Sequence, residues 1–256
     1  MSKKRIEDLK IIRNRQLNED YHVIDLVPPE SLPEILPGQF AEVLVEDAPG
    51  TFLRRPISVH DVDSEKNVLS LLIQIVGEGS SRLVSLEEGD YMNLVYPLGK
   101  GFTIDAPGKV LLVGGGCGVA PLLYLARELS KHSFEVHMLI GVRSSDYLMQ
   151  IPEYEKYATV HITTEDGTAG EKGFVIHHSL FGRLSDFKRV YTCGPEKMMK
   201  AVAKKSEEAG VPCEVSLENL MACGIGACLC CVTDTTKGRL CVCTEGPVFN
   251  SKDLVW

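Results

Sequence analysis

Near Gly108 the sequence changes its period. Before it, YHVIDLVP, QFAEVLVE, RRPISVHDV, NVLSLLIQIV and DYMNLVYPLG are short β-branched and apolar runs punctuated by Pro, Gly, Asp and Asn, with no long helical stripe. After it, KVLLVGGG reads as a buried strand and VAPLLYLARELSKH as an amphipathic helix. FEVHMLIGV, TVHITTED and RVYTCG follow as strands, PEKMMKAVAKKSEEAG as a helix and PCEVSLE as a strand. Short strands joined by turns pack as a small antiparallel barrel or sandwich. Strands alternating with helices demand a parallel sheet, because a parallel return needs a crossover of helical length. The chain is therefore expected to be an α+β multidomain protein. An N-terminal antiparallel β-barrel (1–105) precedes an α/β domain with a parallel sheet (106–218), and a small C-terminal module (219–256) follows.

Composition sets outer bounds. The 256 residues are 44% hydrophobic and 24% charged, enough for a core in each domain and unlike a disordered chain. The net charge of −8 offers no basic stripe for phosphates, so no nucleic-acid partner is expected. MSKKRIEDLK is followed by IIRNRQLNED, not by an apolar run, so no secretory leader is expected. The longest uncharged stretch, between Lys109 and Arg127, is short for a membrane span and is broken by glycines and a proline. The expectation is a cytoplasmic protein with no membrane association. In a reducing compartment, nine cysteines point to metal or redox use before disulfides.

Six of those cysteines crowd the last segment, in CGIGACLCC and RLCVCTEGPVF. Cys223, Cys228 and Cys231 read C-x4-C-x2-C, and Cys243 follows 12 residues later. This is plant-type [2Fe–2S] spacing, in which one loop wraps most of the cluster and a later strand closes it. Zinc prefers two separated pairs or cysteine with histidine, and no histidine follows His178. Gly224 and Gly226 leave backbone N–H groups free to turn toward sulfide and keep side chains off an exposed cluster. Cys230 and Cys241 blur the assignment, with Cys241 two residues before Cys243 and expected on the same strand face. Cys243 is preferred because it directly precedes TEGPVF.

VLLVGGGCGVAPLLYL places Gly114, Gly115, Gly116 and Gly118 between strand and helix, with Pro121 in the first helical turn. Glycines let backbone approach a diphosphate, and a helix N-terminus offers unpaired N–H groups. The spacing is not GxGxxG, and a ligand-free turn is the plain alternative. YTCGPEKMM ends a later strand with Cys193, Gly194 and Pro195 and opens another helix, which puts both turns at one edge of the sheet.

RRPISV, GGGCGVAPLL and YTCGPEKMM together resemble the flavin and nicotinamide modules of the ferredoxin–NADP reductase superfamily. The resemblance implies that Arg55, Pro56, Ile57 and Ser58 hold FAD, the arginine meeting its diphosphate and the serine facing the flavin ring. A guanidinium matches phosphate oxygens in pairs, and a hydroxyl can bond a ring nitrogen. It further implies that Leu72, Ile73 and Gln74 line the flavin and that Gly79 and Ser80 meet the FAD diphosphate at a short helix. Gly114, Gly115, Gly116 and Gly118 would receive NAD(H), with Cys193, Gly194 and Pro195 near the nicotinamide. TTEDGTAGEKGFV resembles the adenosine-ribose segment, where Glu165 or Asp166 suits a free 2′-hydroxyl and favours NAD; Arg143 pulls toward NADP.

MACGIGACLCCV followed by CTEGPVF is similar to the electron-transfer subunits of type B, NAD-dependent dihydroorotate dehydrogenase, over essentially the whole chain. Cys117, Cys230 and Cys241 depart from the pattern. The resemblance implies an FAD-binding β-barrel domain, an α/β NAD-binding domain and a [2Fe–2S] cluster-binding module. It also implies an FMN-containing dihydroorotate dehydrogenase catalytic subunit as partner, two of each forming a heterotetramer. Electrons would run in pyrimidine biosynthesis from dihydroorotate through FMN, cluster and FAD to NAD⁺. No residue of this chain suggests a pyrimidine pocket or a base, so no catalytic residue for dihydroorotate is expected here. Subunits of NADH-dependent ferredoxin–NADP reductases and sulfide dehydrogenases share the layout and form the alternative. A non-enzymatic metal-cluster sensor is the alternative of another class.

Overall fold

The computed structural model describes residues 4–105 and 107–256; residues 1–3 and Ala106, where the second expected domain begins, lie outside the described residues. Six strands come first: β1 (Arg5–Gln16), β2 (Tyr21–Val27), β3 (Phe40–Val43), β4 (Arg55–Asp63), β5 (Val68–Gln74) and β6 (Tyr91–Leu98), with a short helix α1 (Glu78–Val84) before β6. They close into a barrel in the order β1-β2-β5-β4-β3-β6, and every pair is antiparallel. The sequence reading passed over β1. Its outward positions mix charged residues with the exposed Ile6 and Ile12, and only Leu9 and Ile11 are fully buried, so the run shows no clean period until it is matched to one covered face.

The barrel opens at one place. The β4–β5 ladder ends at Val59 opposite Leu71, after a bulge between Val59 and Asp61. Beyond that point β4 keeps pairing with β3 from Ser58 to Arg55, and β5 keeps pairing with β2 from Leu72 to Gln74. The two strands thus diverge and leave a gap in the ladder between them.

A second sheet follows, built from β7 (Lys109–Gly115), β8 (Glu135–Val142), β9 (Thr159–Thr164), β10 (Glu171–Lys172), β11 (Arg189–Cys193) and β12 (Cys213–Ser216). Its crossovers include α2 (Ala120–Lys131), α3 (Ile151–Glu155) and α4 (Glu196–Glu208). The strand order β10-β9-β8-β7-β11-β12 is parallel throughout. It reverses direction at β7, since the chain first builds outward through β8 and then returns to the other side with β11. The crevice at the carboxyl ends of β7 and β11 is therefore the topological switch point, where such sheets bind ligands.

Helix α2 also locks the sheet to the barrel. Tyr124 donates its hydroxyl to the Ile35 carbonyl at 3.0 Å, and Arg127 reaches both carboxylate oxygens of Asp61 at 3.0 Å. His60, 1% exposed, places Nδ1 2.8 Å from the Ala120 carbonyl and Nε2 2.9 Å from the Gln150 amide. These contacts fix the barrel opening beside the switch point.

After residue 219 come a loop rich in turns, a hairpin of β13 (Val232–Thr235) and β14 (Gly238–Cys241), one helical turn α5 (Val242–Glu245) and β15 (Val248–Asn250). Strand β15 pairs antiparallel with β12 and completes a seven-stranded sheet. The expectation that Cys241 and Cys243 share one strand face is not met. Strand β14 stops at Cys241 opposite Val232, and the backbone then coils, with Gly246 N–H bonded to the Val242 carbonyl at 3.1 Å. Among the described residues no helix is long and apolar enough to cross a membrane.

Candidate cofactor and cluster sites

Arg55, Pro56, Ile57 and Ser58 form one lip of the barrel opening, and Leu72, Ile73 and Gln74 form the other. The Arg55 side chain lies along the first turn of α1, where a Cβ on Gly79 would stand 3.1 Å from its Nε. The missing side chain at 79 is what lets a guanidinium and backbone amides share one cradle, a setting for paired phosphate oxygens. Ser80 is buried, and its hydroxyl accepts from the Val76 and Gly77 N–H groups at 2.8 and 3.1 Å. It shapes the turn and points no free hydroxyl outward. The Leu72 side chain joins the core shared with the sheet, and Ile73 fills the barrel interior. With these side chains turned into the cores, the lip offers a ligand its backbone, which suits a flat heterocycle with polar edges. The opening and the cradle fit a flavin dinucleotide.

At the switch point the glycines have a second use besides approach to a ligand. A Cβ on Gly114 would meet Val119 Cγ1 at 2.8 Å, one on Gly115 would meet Met198 Sδ at 2.5 Å, and one on Gly118 would lie 2.3 Å from the Cys193 carbonyl oxygen. Gly194 reciprocates, with φ +144° and a Cβ position 2.8 Å from the Gly115 carbonyl oxygen. The two loops are packed backbone on backbone. Only Gly116, at φ +54°, faces open space, its nearest neighbour being the Tyr21 hydroxyl at 3.8 Å from a would-be Cβ. A 3-10 turn (Gly116–Val119) precedes α2, with Pro121 near its start as expected.

Three residues that sequence reasoning gave no site role meet here. Tyr21 comes from β2, Cys117 from the glycine loop and Glu218 from just beyond the carboxyl end of β12. Cys193 is 1% exposed, and its Sγ is 3.8 Å from Glu218 Oε1. Burial and then the Glu218 carboxylate push the Cys117 thiol up to about 12, and the same two causes raise Cys193 well above the thiol range. Both thiols are therefore protonated near neutral pH. Burial raises Glu218 as well, because protein walls surround a carboxyl that remains open to the crevice. Burial raises the Tyr21 phenol, with the charge of Cys117 next. Only Glu218 had a usable signal in the sequence, its place after a strand of the parallel sheet.

Arg143 and Glu165 stand together at the far side of the crevice, where Glu165 and Asp166 donate backbone N–H groups to the Val142 and Arg143 carbonyls at 3.1 and 3.3 Å. Asp166 is already engaged. Its Oδ1 accepts from the Thr168 N–H and hydroxyl at 3.0 and 2.7 Å, bonds that hold its carboxyl below the usual range.

In the cysteine loop, backbone N–H groups converge on sulfur. Ile225 and Cys228 donate to Cys223 Sγ at 3.5 and 3.4 Å, and Cys230 donates to Cys228 Sγ at 3.5 Å. Cys243 donates to Cys231 Sγ at 3.4 Å, and Gly226 donates to Cys243 Sγ at 3.2 Å. Among the described residues neither Cys230 nor Cys241 receives such a bond at sulfur. No three His, Cys, Asp or Glu side chains among the described residues gather as around a single ion; backbone N–H groups reach each of the four thiols separately. What burial Cys223 has pushes its thiol up, but the donated N–H groups outweigh this and bring it to about 6. Burial and then Cys231 push Cys243 up to about 12. N–H donors aimed at thiols in a glycine-opened loop fit an iron–sulfur cluster, whose potential depends on such bonds. The Gly226 N–H turns onto a cysteine sulfur. Gly224 has another use, since its φ is +66° and a Cβ there would strike Glu42 Cγ at 2.6 Å.

A barrel whose β4–β5 ladder opens, a doubly wound sheet beside it and a thiol loop near the C-terminus define a flavin- and nicotinamide-linked reductase of the ferredoxin–NADP reductase fold. Known proteins agree. Residues 112–204 match the oxidoreductase NAD-binding domain family, and residues 218–255 match the iron-sulfur cluster binding domain of dihydroorotate dehydrogenase B. The dihydroorotate dehydrogenase B (NAD(+)) electron transfer subunit of Desulforamulus reducens is 38% identical over 98% of this chain and 99% of its own. Its Clostridium acetobutylicum counterpart is 40% identical over 87% of each. A solved structure described as an NADH-dependent reduced ferredoxin-NADP oxidoreductase is 30% identical, with TM-score 0.87, over 97% of this chain and 90% of that one. The chain belongs to the family of dihydroorotate dehydrogenase B electron transfer subunits.

Proposed function

We propose that this chain carries electrons between a dihydroorotate-oxidising catalytic subunit and NAD⁺ in pyrimidine biosynthesis, using FAD and one [2Fe–2S] cluster. The partner carries FMN, and two copies of each chain assemble in the cytoplasm. Residues 1–105 hold FAD, 106–218 take NAD(H) and 219–256 hold the cluster. When bound, FAD exchanges hydride with nicotinamide and single electrons with the cluster. The observation that carries the reading is the backbone N–H donation onto Cys223, Cys228, Cys231 and Cys243, beside the gap in the barrel ladder.

Each part of the chain has a definable task. Arg55 neutralises the FAD diphosphate at the Gly79–Ser80 turn, and Ser58, Leu72, Ile73 and Gln74 border the ring along the two diverging strands. The closely packed loops at Gly114, Gly115, Gly116 and Gly118 and at Cys193, Gly194 and Pro195 hold the nicotinamide end against that opening. The thiols of Cys117 and Cys193, protonated near neutral pH, keep charge and attacking thiolate away from the hydride path. Cys223, Cys228, Cys231 and Cys243 ligate iron.

The test is purification under anaerobic conditions, followed by assays of iron, sulfide and FAD. Two irons, two sulfides and one FAD per chain are expected, with dihydroorotate-dependent NAD⁺ reduction only when the FMN subunit is added. Absence of inorganic sulfide defeats the cluster assignment. Efficient transfer to ferredoxin and NADP⁺, with no response to the FMN subunit, favours the second reading that the solved ferredoxin-NADP oxidoreductase keeps open.

A further inference from the structure

Strand β3 alternates between two interiors. Ala41 and Val43 point into the barrel, whereas Phe40 packs outside it against the core that contains Cys231, Val242 and Cys243. By the same period Glu42 points outward with Phe40. It is 0% exposed, and neither carboxylate oxygen has a hydrogen-bond partner among the described residues. The cluster loop lies directly on it, because the Cβ that Gly224 lacks would be 2.6 Å from Glu42 Cγ and 3.3 Å from Oε1. The charged and titratable groups that face it are Arg54, Arg55 and Cys223. Arg54 spends its guanidinium on the Glu42 backbone carbonyl at 3.2 Å and on Asn93 Oδ1 at 2.6 Å. Arg55 donates to the Leu53 and Arg54 carbonyls at 2.8 and 3.4 Å.

Burying a carboxyl without a partner costs several kcal/mol at order of magnitude, and a methionine would fill the volume without that penalty. The one loop pressed on this group is the loop that ligates the cluster. We propose that Glu42 is a redox-tuning residue: its buried, unpartnered carboxylate beneath the Cys223–Gly224 turn holds down the reduction potential of the [2Fe–2S] centre. A fixed negative charge in a poorly polarisable interior opposes arrival of an electron nearby. A lower cluster potential favours onward passage to the flavin and then to NAD⁺. Glu42 acts on the cluster through space and does not ligate it. The proposal rests on the assignment of Cys223, Cys228, Cys231 and Cys243 as ligands.

The test is a redox titration of the cluster, followed by electron paramagnetic resonance, in the complex with the catalytic subunit. It compares wild type with Glu42→Gln and Glu42→Met at about pH 8.5, far above the ordinary carboxylate range. Both variants are expected to keep full iron, sulfide and FAD and to shift the cluster midpoint to a more positive value. An unchanged midpoint in a cluster-loaded variant overturns the proposal. Loss of the cluster from both variants also overturns it, because Glu42 is then a structural support. A wild-type protein without sulfide defeats the ligand assignment itself, a failure read before any potential is measured.

Discussion

A Cβ on Gly118 would lie 2.3 Å from the carbonyl oxygen of Cys193 and 2.4 Å from Gly194 Cα. Both obstacles are backbone, so neither can rotate aside. Gly118→Ala must therefore push the two nucleotide loops apart, an overpacking cost of about 1–3 kcal/mol. The expected result is a KM for NADH raised roughly 10-fold or more, with FAD and cluster absorbance unchanged. Steady-state NADH oxidation with an artificial acceptor measures it, and a wild-type KM refutes the packing role.

The Gly226 to Cys243 bond separates two thiols that lie two residues apart in the sequence. Cys243→Ser is expected to abolish the cluster, and Cys241→Ser is expected to retain it, because only Cys243 is drawn into the loop by a backbone donor. Cys228→Ser should likewise stop electron delivery from the partner while FAD stays bound. Iron and sulfide analysis of the purified variants checks all three. A sulfide-free Cys241→Ser protein beside a loaded Cys243→Ser protein reverses the assignment.

His60 is enclosed between the barrel and α2, and burial lowers its imidazole from the ordinary value of 6.5. The unfolded chain then binds a proton that the folded chain resists. His60 thus costs no stability above about pH 6.5, and stability is lost as pH falls from there toward the lowered folded value. His60→Gln can keep a hydrogen bond to Ala120 without titrating. Between pH 7.5 and 5.5, taken at about one unit either side of 6.5, denaturant unfolding should show a smaller loss of stability in the variant. Equal losses in both proteins would show that other groups govern the acid response.

The two architectures were readable because period 2 and strand–helix alternation both survive in one sequence. The cysteine spacing carried three of the four proposed ligands without structural help. Register was not readable. The gap between Ser58 and Leu72 arises where one ladder ends and two others continue, and no local residue preference encodes that. Gly114, Gly118 and Gly224 stood out in the sequence as glycines, but their packing partners, Val119, Cys193 and Glu42, become visible only when distant segments meet. Glu42 was hidden for the same reason: in QFAEVLVE it takes the place of an outward polar residue, and the cluster loop then covers it.

Of Glu165 and Asp166, both proposed for the adenosine ribose, Glu165 is expected to be the one that reads it. Asp166 accepts two bonds from Thr168 and is held in its own turn, whereas the Glu165 side chain accepts no bond among the described residues and stands exposed, as does Arg143. A carboxylate there accepts from a free 2′-hydroxyl and repels a 2′-phosphate, while Arg143 attracts the phosphate. Glu165→Gln removes the repulsion and leaves Arg143 in place. Preference for NADH over NADPH, read as the ratio of kcat/KM values, should fall about 5-fold, the scale of one close charge contact in water. Arg143→Gln should move the ratio the other way by weakening NADPH. If Asp166→Asn alters the ratio more than Glu165→Gln does, the carboxylate tied to Thr168 is the one that reads the ribose.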